Sequence, residues 1–266
     1  MNNLVSVQWL RAQLKDQDLV ILDASLAQES SAGIPGAKFM ELKTAFASHE
    51  SDLPNTFPSA EQFEEECQKL GINSNSKIVV YDQKGIFSSP RAWWLFKTFG
   101  HEQVAVLDGG LPEWLNQGYS TAGLSHESTA KGNFKAELKK DHIKFYEDVL
   151  KNTQDRAFTV VDARSKGRFE GTTPEPREGL LSGCIPASVS LPYTEVLHKG
   201  LYKSPEQLRQ IFEDLNLLDK NLVFSCGSGI SACIILLARE QVQRGDLKIY
   251  DGSWTEWAIR QELLKK

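Results

Sequence analysis

The sequence has few cysteines and no excess of positive charge. It holds four cysteines among 266 residues, which are too few and too scattered for a disulfide framework, and no two form the C-x-x-C pair typical of zinc sites. We therefore expect free thiols and no bound metal. The formal net charge of -5 argues against a nucleic-acid partner, because such proteins usually present a basic surface.

Long apolar runs are also absent. The first twenty residues, MNNLVSVQWLRAQLKDQDLV, lack the basic region and apolar stretch of a signal peptide, and no later run has the length needed to cross a bilayer. These absences predict a cytoplasmic protein without a membrane partner.

The strongest pattern present is an internal repeat. Five short stretches recur in the same order, and three of the pairs are 143 to 145 residues apart. The pairs are VILDAS and VVDARS, GIPGA and CIPAS, SAEQFEEECQKLGI and SPEQLRQIFEDLNL, KIVVYD and NLVFSC, and LDGGLPEW and YDGSWTEW. The repeat predicts a duplicated chain with domains at 1–121 and 139–266, joined by a linker at 122–138.

Each half alternates short β-branched runs with segments of helical period, which predicts an α/β fold with a mostly parallel sheet flanked by helices on both faces. Two helices are expected to begin after N-cap serines, Ser59 and Ser204, with Gln62 and Gln207 completing capping boxes. Cys67 falls on the apolar face of the first of these helices, so we expect it in the core.

The stretch SCGSGISAC predicts a reactive cysteine. Cys226 ends a strand, and the small residues after it allow successive N–H groups to turn toward its sulfur. The dipole of the following helix also favours the nucleophilic thiolate. The alternative is a buried cysteine beside a flexible turn, which is how we interpret Cys233. The loop residues expected to bind substrate are Gly227, Gly229, Ile230 and Ser231.

Two further features of this loop bear on its chemistry. The Ser228 hydroxyl is placed to donate to a substrate carbonyl or to relay a proton, although a small loop residue is an equally simple interpretation. Phosphoryl transfer and persulfide-based sulfur transfer both use a thiolate in such a loop. Cysteine phosphatases place an arginine six positions after the cysteine, and this chain has Ala232 there, which disfavours a phosphatase.

These motifs resemble those of the two-domain rhodanese-type sulfurtransferases. CGSGISA is similar to the CGSGVTA loop of members that use 3-mercaptopyruvate, and the match includes YDQKGIFSSPRAWWLFKTFGH, GRFEGTTPEPREG and DGSWTEW. Members that use thiosulfate carry basic residues after the cysteine, where this chain has Gly227 and Ser228. The resemblance implies sulfur transfer from 3-mercaptopyruvate through a Cys226 persulfide, with release of pyruvate.

The same resemblance implies the partners. The acceptor would be a thiol, such as thioredoxin or a small dithiol, or cyanide; no cofactor is needed, and we expect a monomer. Arg168 and Arg177 correspond to the two arginines that the family uses for the substrate carboxylate, which a guanidinium can bind through two hydrogen bonds. Without the resemblance they would be interpreted as solvated loop charges. Arg164 is expected to fix the loop or the interface between domains.

Several positions depart from the family pattern. Family members pair the loop serine with a histidine and an aspartate, where this chain has Asn55 and Glu41, so a proton relay of that kind is not expected. His49 is interpreted as an exposed loop residue. Cys184 stands where a histidine is common, and would be a packing cysteine or a redox partner. Asp82 occupies the cysteine position of the first domain, which is therefore expected to be a scaffold.

Two alternatives to 3-mercaptopyruvate transfer remain open at this point. One is thiosulfate:cyanide transfer, which the absence of loop cations disfavours. The other is a non-catalytic tandem rhodanese that carries sulfur or binds a partner, which the combination of Cys226, Arg168 and Arg177 disfavours.

Overall fold

The computed structural model describes residues 1–28, 30–125, 130–245 and 247–265. Its contacts divide the chain into two compact units. Unit 1 comprises Met1–Glu50, Phe57–Lys139 and Lys199–Tyr202, and unit 2 comprises Ser51–Thr56, Lys140–His198 and Lys203–Lys266.

Strands and helices are interleaved along the chain. The strands are β1 (Leu4–Val5), β2 (Leu19–Asp23), β3 (Ala32–Gly33), β4 (Lys38–Phe39), β5 (Lys77–Tyr81), β6 (Val104–Leu107), β7 (Ala122–Gly123), β8 (Ile143–Lys144), β9 (Thr159–Asp162), β10 (Val189–Ser190), β11 (Leu197–His198), β12 (Leu201–Tyr202), β13 (Leu222–Ser225) and β14 (Ile249–Tyr250). The helices are α1 (Val7–Gln13), α2 (Ala60–Lys69), α3 (Ser89–Thr98), α4 (Gly110–Asn116), α5 (Tyr146–Asp155), α6 (Lys166–Phe169), α7 (Pro205–Asp214), α8 (Ala232–Val242) and α9 (Ser253–Arg260), with 3₁₀ turns at Lys140–His142 and Tyr193–Val196.

Each unit is built on a five-stranded parallel sheet. The order is β1-β6-β5-β2-β4 in unit 1 and β10-β9-β13-β14-β8 in unit 2, and each pair of neighbouring strands is parallel. The α/β prediction is confirmed. None of the helices in the described part of the chain has the length and apolar character that a bilayer crossing requires.

Alternating strand residues explain why helices cover both sheet faces. In β5, Val79 and Tyr81 pack in one cluster with Leu10 of α1 and Trp114 of α4. The intervening residue Val80 is also fully buried and faces the opposite side, because successive strand residues point to opposite faces. Burial on both faces requires the continuous apolar runs that the sequence shows.

The predicted helix starts are observed at both serines. The Ser59 and Ser204 side chains accept hydrogen bonds from the N–H groups of Gln62 and Gln207, and the Gln207 side chain completes its box. Gln62 instead turns its amide to the Ala45 carbonyl at 2.9 Å. The box predicted at Ser59 is therefore half formed, because a tertiary contact replaces the local one.

The predicted linker 122–138 lies against unit 1 where it is described; residues 126–129 fall outside the described part. β7 pairs with β3 in antiparallel register. Phe134 is fully buried, with its ring centroid 5.7 Å from that of Phe63. The linker composition is small and polar, but the buried Phe134 ring and backbone hydrogen bonds, such as that from the Glu137 N–H to the Phe99 carbonyl at 3.1 Å, anchor the segment.

The carboxyl of Asp108, at the end of β6, should make the free energy of unfolding depend on pH. Burial, assisted by Glu113 and opposed by the Tyr202 N–H, raises the pKa of its carboxyl to about 6. The folded chain keeps this proton between pH ~4 and ~6 whereas the unfolded chain has lost it, so the free energy of unfolding falls as pH rises through that interval. We expect Asp108→Asn to stabilise the protein by about 2 kcal/mol at pH 7.5 and to change little at pH ~4.

Urea unfolding at the two pH values measures this effect. The exposed Asp18→Asn is the matched control, and it should leave the free energy of unfolding unchanged at both. An equal effect of Asp108→Asn at both pH values would show that the carboxyl does not titrate in this interval.

Candidate active site

Cys226 lies at the carboxyl edge of the sheet in unit 2. β13 ends at Ser225, the cysteine follows, and α8 begins six residues later at Ala232. Ser225 is in register with Asp162, the last residue of β9, so both strands deliver side chains to one edge. Cys226 is 2% exposed. This is the edge at which open α/β sheets place their ligand sites.

The start of α9 holds the first residues of the loop. The Cys226 N–H donates to Ser253 Oγ at 3.2 Å, and its carbonyl accepts from the Trp254 N–H at 3.0 Å. The Gly227 carbonyl accepts from the Thr255 N–H at 3.0 Å and from its hydroxyl at 2.7 Å. The DGSWTEW motif therefore fixes the backbone on either side of the thiol.

Ser253 and Thr255 bond to the backbone of the loop, and the sequence analysis did not identify them. Ser253 has a φ of +52° and Gly110 in unit 1 a φ of +53°, a left-handed conformation that a non-glycine residue adopts at some cost. Comparison of LDGGLPEW with YDGSWTEW could have identified Ser253, because it shows a serine where the other copy has glycine.

Several backbone donors of the loop have no protein acceptor. Within the described residues, no hydrogen bond is donated by the N–H groups of Gly227, Ser228, Ile230 and Ser231. Gly229 between them has a φ of +81°, which turns the chain. Unpaired N–H groups at a tight turn before a helix form an anion-binding concavity.

The corresponding loop of unit 1 binds an anion that is part of the chain. Asp82 follows β5 as the cysteine follows β13, and its carboxylate accepts from the N–H groups of Lys84, Phe87, Ser88 and Ser89 at 2.9 to 3.0 Å. The Ser89 hydroxyl adds a fifth bond at 2.7 Å. In this copy of the loop, the backbone donors are satisfied by the residue that replaces the cysteine.

The two predicted substrate arginines border one cavity. It measures about 260 Å³ and is lined by Arg168, Glu175, Pro176, Arg177, Gly227, Ser228 and Thr255, while the cysteine lies buried next to this lining. A Cβ atom at Gly227 would stand 2.8 Å from Arg168 Nη2, so the glycine lets the guanidinium approach the loop. Arg177 is exposed. The structure thus brings both arginines together with the first loop residues.

Arg164 is fully enclosed and holds the segment before α6. Its guanidinium bonds to Asp162 Oδ2 at 2.7 Å, to Glu175 Oε1 at 2.7 Å and to the Gly183 carbonyl at 2.6 Å, and lies 4.5 Å from the Trp254 ring centroid. Burial alone would lower the pKa of this guanidinium, but the bonds from both carboxylates outweigh burial and raise its pKa. It is thus a permanently charged structural link.

Asn55 contacts the loop serine. Its Nδ2 donates to Ser228 Oγ at 3.0 Å and to the Ser228 carbonyl at 3.2 Å, and both residues belong to unit 2. Asn55 has a φ of +59°, a conformation in which asparagine is enriched. The sequence identified Asn55 as a departure from the family pattern but did not place it on the serine.

Glu41 and His49 lie in unit 1. Glu41 is exposed and lines a different cavity, of about 480 Å³. His49 is exposed as predicted, with its Nε2 3.1 Å from Gln62 Nε2. That cavity is larger, but no residue of the loop after Cys226 lines it, whereas Gly227 and Ser228 line the smaller one, which we therefore treat as the candidate site.

All four cysteines are free thiols. Cys67 and Cys233 are fully buried, in agreement with the core positions predicted for them, and burial raises the pKa of Cys67. Cys233 Sγ also lies 3.4 Å from the Gly229 carbonyl, where it helps to shape the loop. Cys184 is exposed, and partial desolvation raises the pKa of its thiol.

Comparisons with known proteins show which family the chain resembles. The family model described as "Rhodanese-like domain" matches residues 6–117 and 145–260. The chain is 41% identical over 276 residues to 3-mercaptopyruvate sulfurtransferase of Mus musculus, covering 97% of this chain and 92% of the relative. It is 38% identical, with the same coverage, to thiosulfate sulfurtransferase of Mus musculus.

Among solved structures, the chain is similar to SseA from Escherichia coli, described with the rhodanese fold and catalytic mechanism of 3-mercaptopyruvate sulfotransferases. The two share 32% identity with a TM-score of 0.84, over 96% of this chain and 99% of the other.

Proposed function

Because the chain belongs to the rhodanese family and is a sulfurtransferase, we propose that it moves sulfur from 3-mercaptopyruvate through a persulfide on Cys226 to a thiol acceptor. One observation carries this proposal. The loop after Cys226 has backbone donors without a protein acceptor, whereas the same loop in unit 1 is filled by the carboxylate of Asp82. A loop built for an anion, with a thiol in place of the internal carboxylate, suits a thiolate or a persulfide anion.

The proposed reaction has two halves. The Cys226 thiolate attacks the sulfur of 3-mercaptopyruvate, the carbon–sulfur bond breaks, and its electron pair leaves with pyruvate as the enolate, which takes up a proton. The enzyme keeps the sulfur as a persulfide. An acceptor thiolate then attacks the outer sulfur, and the sulfur–sulfur bond electrons return to Cys226.

The cavity residues account for recognition of the donor. Arg168 and Arg177 provide guanidinium donors for the substrate carboxylate. Asn55 donates to Ser228 Oγ, so the serine proton is directed away from that amide and toward the substrate carbonyl. A carboxamide does not ionise in this role, and proton transfer through Asn55 is therefore not part of the mechanism.

Thiosulfate is the second candidate donor, favoured by the likeness to the mouse thiosulfate sulfurtransferase. Against it, Gly227 and Ser228 carry no charge at the positions where a sulfonate would need cations. A purely sulfur-carrying role would not explain why two arginines border the cavity next to the thiol.

The proposal also covers the sulfur acceptor, the oligomeric state and the location of the enzyme. We propose thioredoxin or a small dithiol as acceptor, and a monomeric, cytoplasmic enzyme that needs no cofactor. Rates with thioredoxin and with dithiothreitol, together with size-exclusion chromatography, test the acceptor and the oligomeric state.

The function is tested by measuring pyruvate release from 3-mercaptopyruvate with dithiothreitol, beside thiocyanate formation from thiosulfate with cyanide. We expect the first reaction to have the higher kcat/KM. Arg177→Ala should raise the KM for 3-mercaptopyruvate by about 10- to 100-fold with a smaller change in kcat, because it removes a charged hydrogen bond to the substrate.

The matched control is Arg244→Ala, which removes an exposed arginine of unit 2 and should leave KM unchanged. A preference for thiosulfate would make thiosulfate:cyanide transfer the function, and turnover of neither donor would leave the carrier role.

A further inference from the structure

Glu175 is a buried carboxylate that the proposed reaction does not use. Its side chain is 3% exposed, and it joins two arginines. Oε1 accepts from Arg164 Nη1 at 2.7 Å, and Oε2 accepts from Arg168 Nη2 at 2.5 Å. Arg168 Nε adds contacts of 3.2 Å to both oxygens. The Glu175 carboxylate therefore occupies the Nε/Nη2 edge of the guanidinium that is expected to bind substrate.

The consequence is a low net charge at the cavity. The charged side chains that line it are Arg168, Arg177 and Glu175; Arg164 bonds to Glu175, and Asp162 bonds to Arg164. These five side chains sum to one positive charge, which the Cys226 thiolate of the proposed reaction cancels. A monoanion therefore adds one uncompensated negative charge to a partly desolvated site and a dianion adds two, which is less favourable.

We propose that Glu175 is a specificity-determining residue, whose charge makes the site select a monoanionic donor over a dianionic one. This proposal rests on the proposed function, since it concerns the choice between an α-keto acid and thiosulfate at the same cavity. Glu175 acts through charge, because the electrostatic energy that its carboxylate contributes is twice as large for a dianion as for a monoanion at the same place.

The test uses two non-reacting anions, pyruvate as the monoanion and sulfate as the dianion, with binding to the full chain measured by calorimetry. We expect Glu175→Gln to tighten sulfate binding by about tenfold and pyruvate binding by about threefold, so that the change in log Kd is twice as large for sulfate. The ratio of kcat/KM for thiosulfate to that for 3-mercaptopyruvate should also rise.

Two variants serve as controls. Glu178→Gln removes an exposed carboxylate close in sequence to Arg177 and should change neither affinity by more than about twofold, because solvent screens an exposed charge. Glu175→Asp keeps the charge and should keep the unmodified chain's preference for pyruvate over sulfate.

The proposal is overturned if Glu175→Gln weakens both anions equally, which would show that Glu175 only positions Arg168. It is also overturned if the unmodified chain binds sulfate as tightly as pyruvate, an outcome that does not depend on any variant folding. Because neither anion reacts, these results are independent of sulfur transfer. Failure of the proposed function would appear separately, as absence of pyruvate release from 3-mercaptopyruvate.

Discussion

Replacement of Cys226 by serine is expected to lower turnover of 3-mercaptopyruvate by at least about 10³-fold, because the hydroxyl is a far weaker nucleophile and cannot hold the transferred sulfur. The side chain is buried and nearly isosteric with serine, so the fold should be retained. Pyruvate release measures the loss. Mass spectrometry after incubation with donor alone should show one added sulfur atom on the unmodified chain and none on the variant.

Cys184→Ser is the matched control, because it removes the one exposed thiol found among the four cysteines. It should leave turnover and sulfur loading unchanged. If Cys184→Ser removed the added sulfur and Cys226→Ser did not, the nucleophile would be Cys184 and the assignment to Cys226 would be wrong.

Replacement of Arg164 by methionine is expected to lower the free energy of unfolding by about 3–5 kcal/mol, the cost typical of breaking a buried ion pair by removing one partner. The Arg164 side chain is fully buried, and Asp162 and Glu175 are almost fully buried with it. Methionine fills the volume but leaves both carboxylates and the Gly183 carbonyl without this donor. The expected loss of stability is therefore mainly electrostatic and not steric.

Urea unfolding followed by tryptophan fluorescence measures this change, because the guanidinium lies against Trp254. Arg244→Met, at an exposed arginine, is the control and should change stability by less than about 0.5 kcal/mol. A loss below ~1 kcal/mol for Arg164→Met would mean that water enters and solvates the two carboxylates.

Sequence patterns were sufficient to predict the architecture. The β-branched runs and the serine caps are properties of short segments and predict the strands and helices, and the repeat of these short segments predicts the duplication. The sequence did not show which unit each connecting segment belongs to. Residues 51–56 belong to unit 2 and residues 199–202 to unit 1, and neither segment carries a helical or strand period long enough to reveal which sheet it joins.

The residues of the candidate site also fall into those that the sequence predicted and those that it did not. Cys226 was predicted from the chemistry of its own loop, whereas Arg168 and Arg177 were predicted from the resemblance to the family. Ser253 and Asn55 were not, because their contacts span 27 and 173 residues along the chain. Such contacts depend on how distant loops meet at a sheet edge, which residue spacing alone does not encode.

Asp82 keeps the loop of unit 1 hydrogen-bonded in a copy of the fold that carries no thiol at this position. Alanine there would leave the buried N–H groups of Ser88 and Ser89 and the Ser89 hydroxyl without the carboxylate to which they donate, at a cost of about 1–3 kcal/mol for each group. In the proposed mechanism, the aspartate thus holds permanently in one copy of the fold the negative charge that the persulfide brings to the other copy only during turnover.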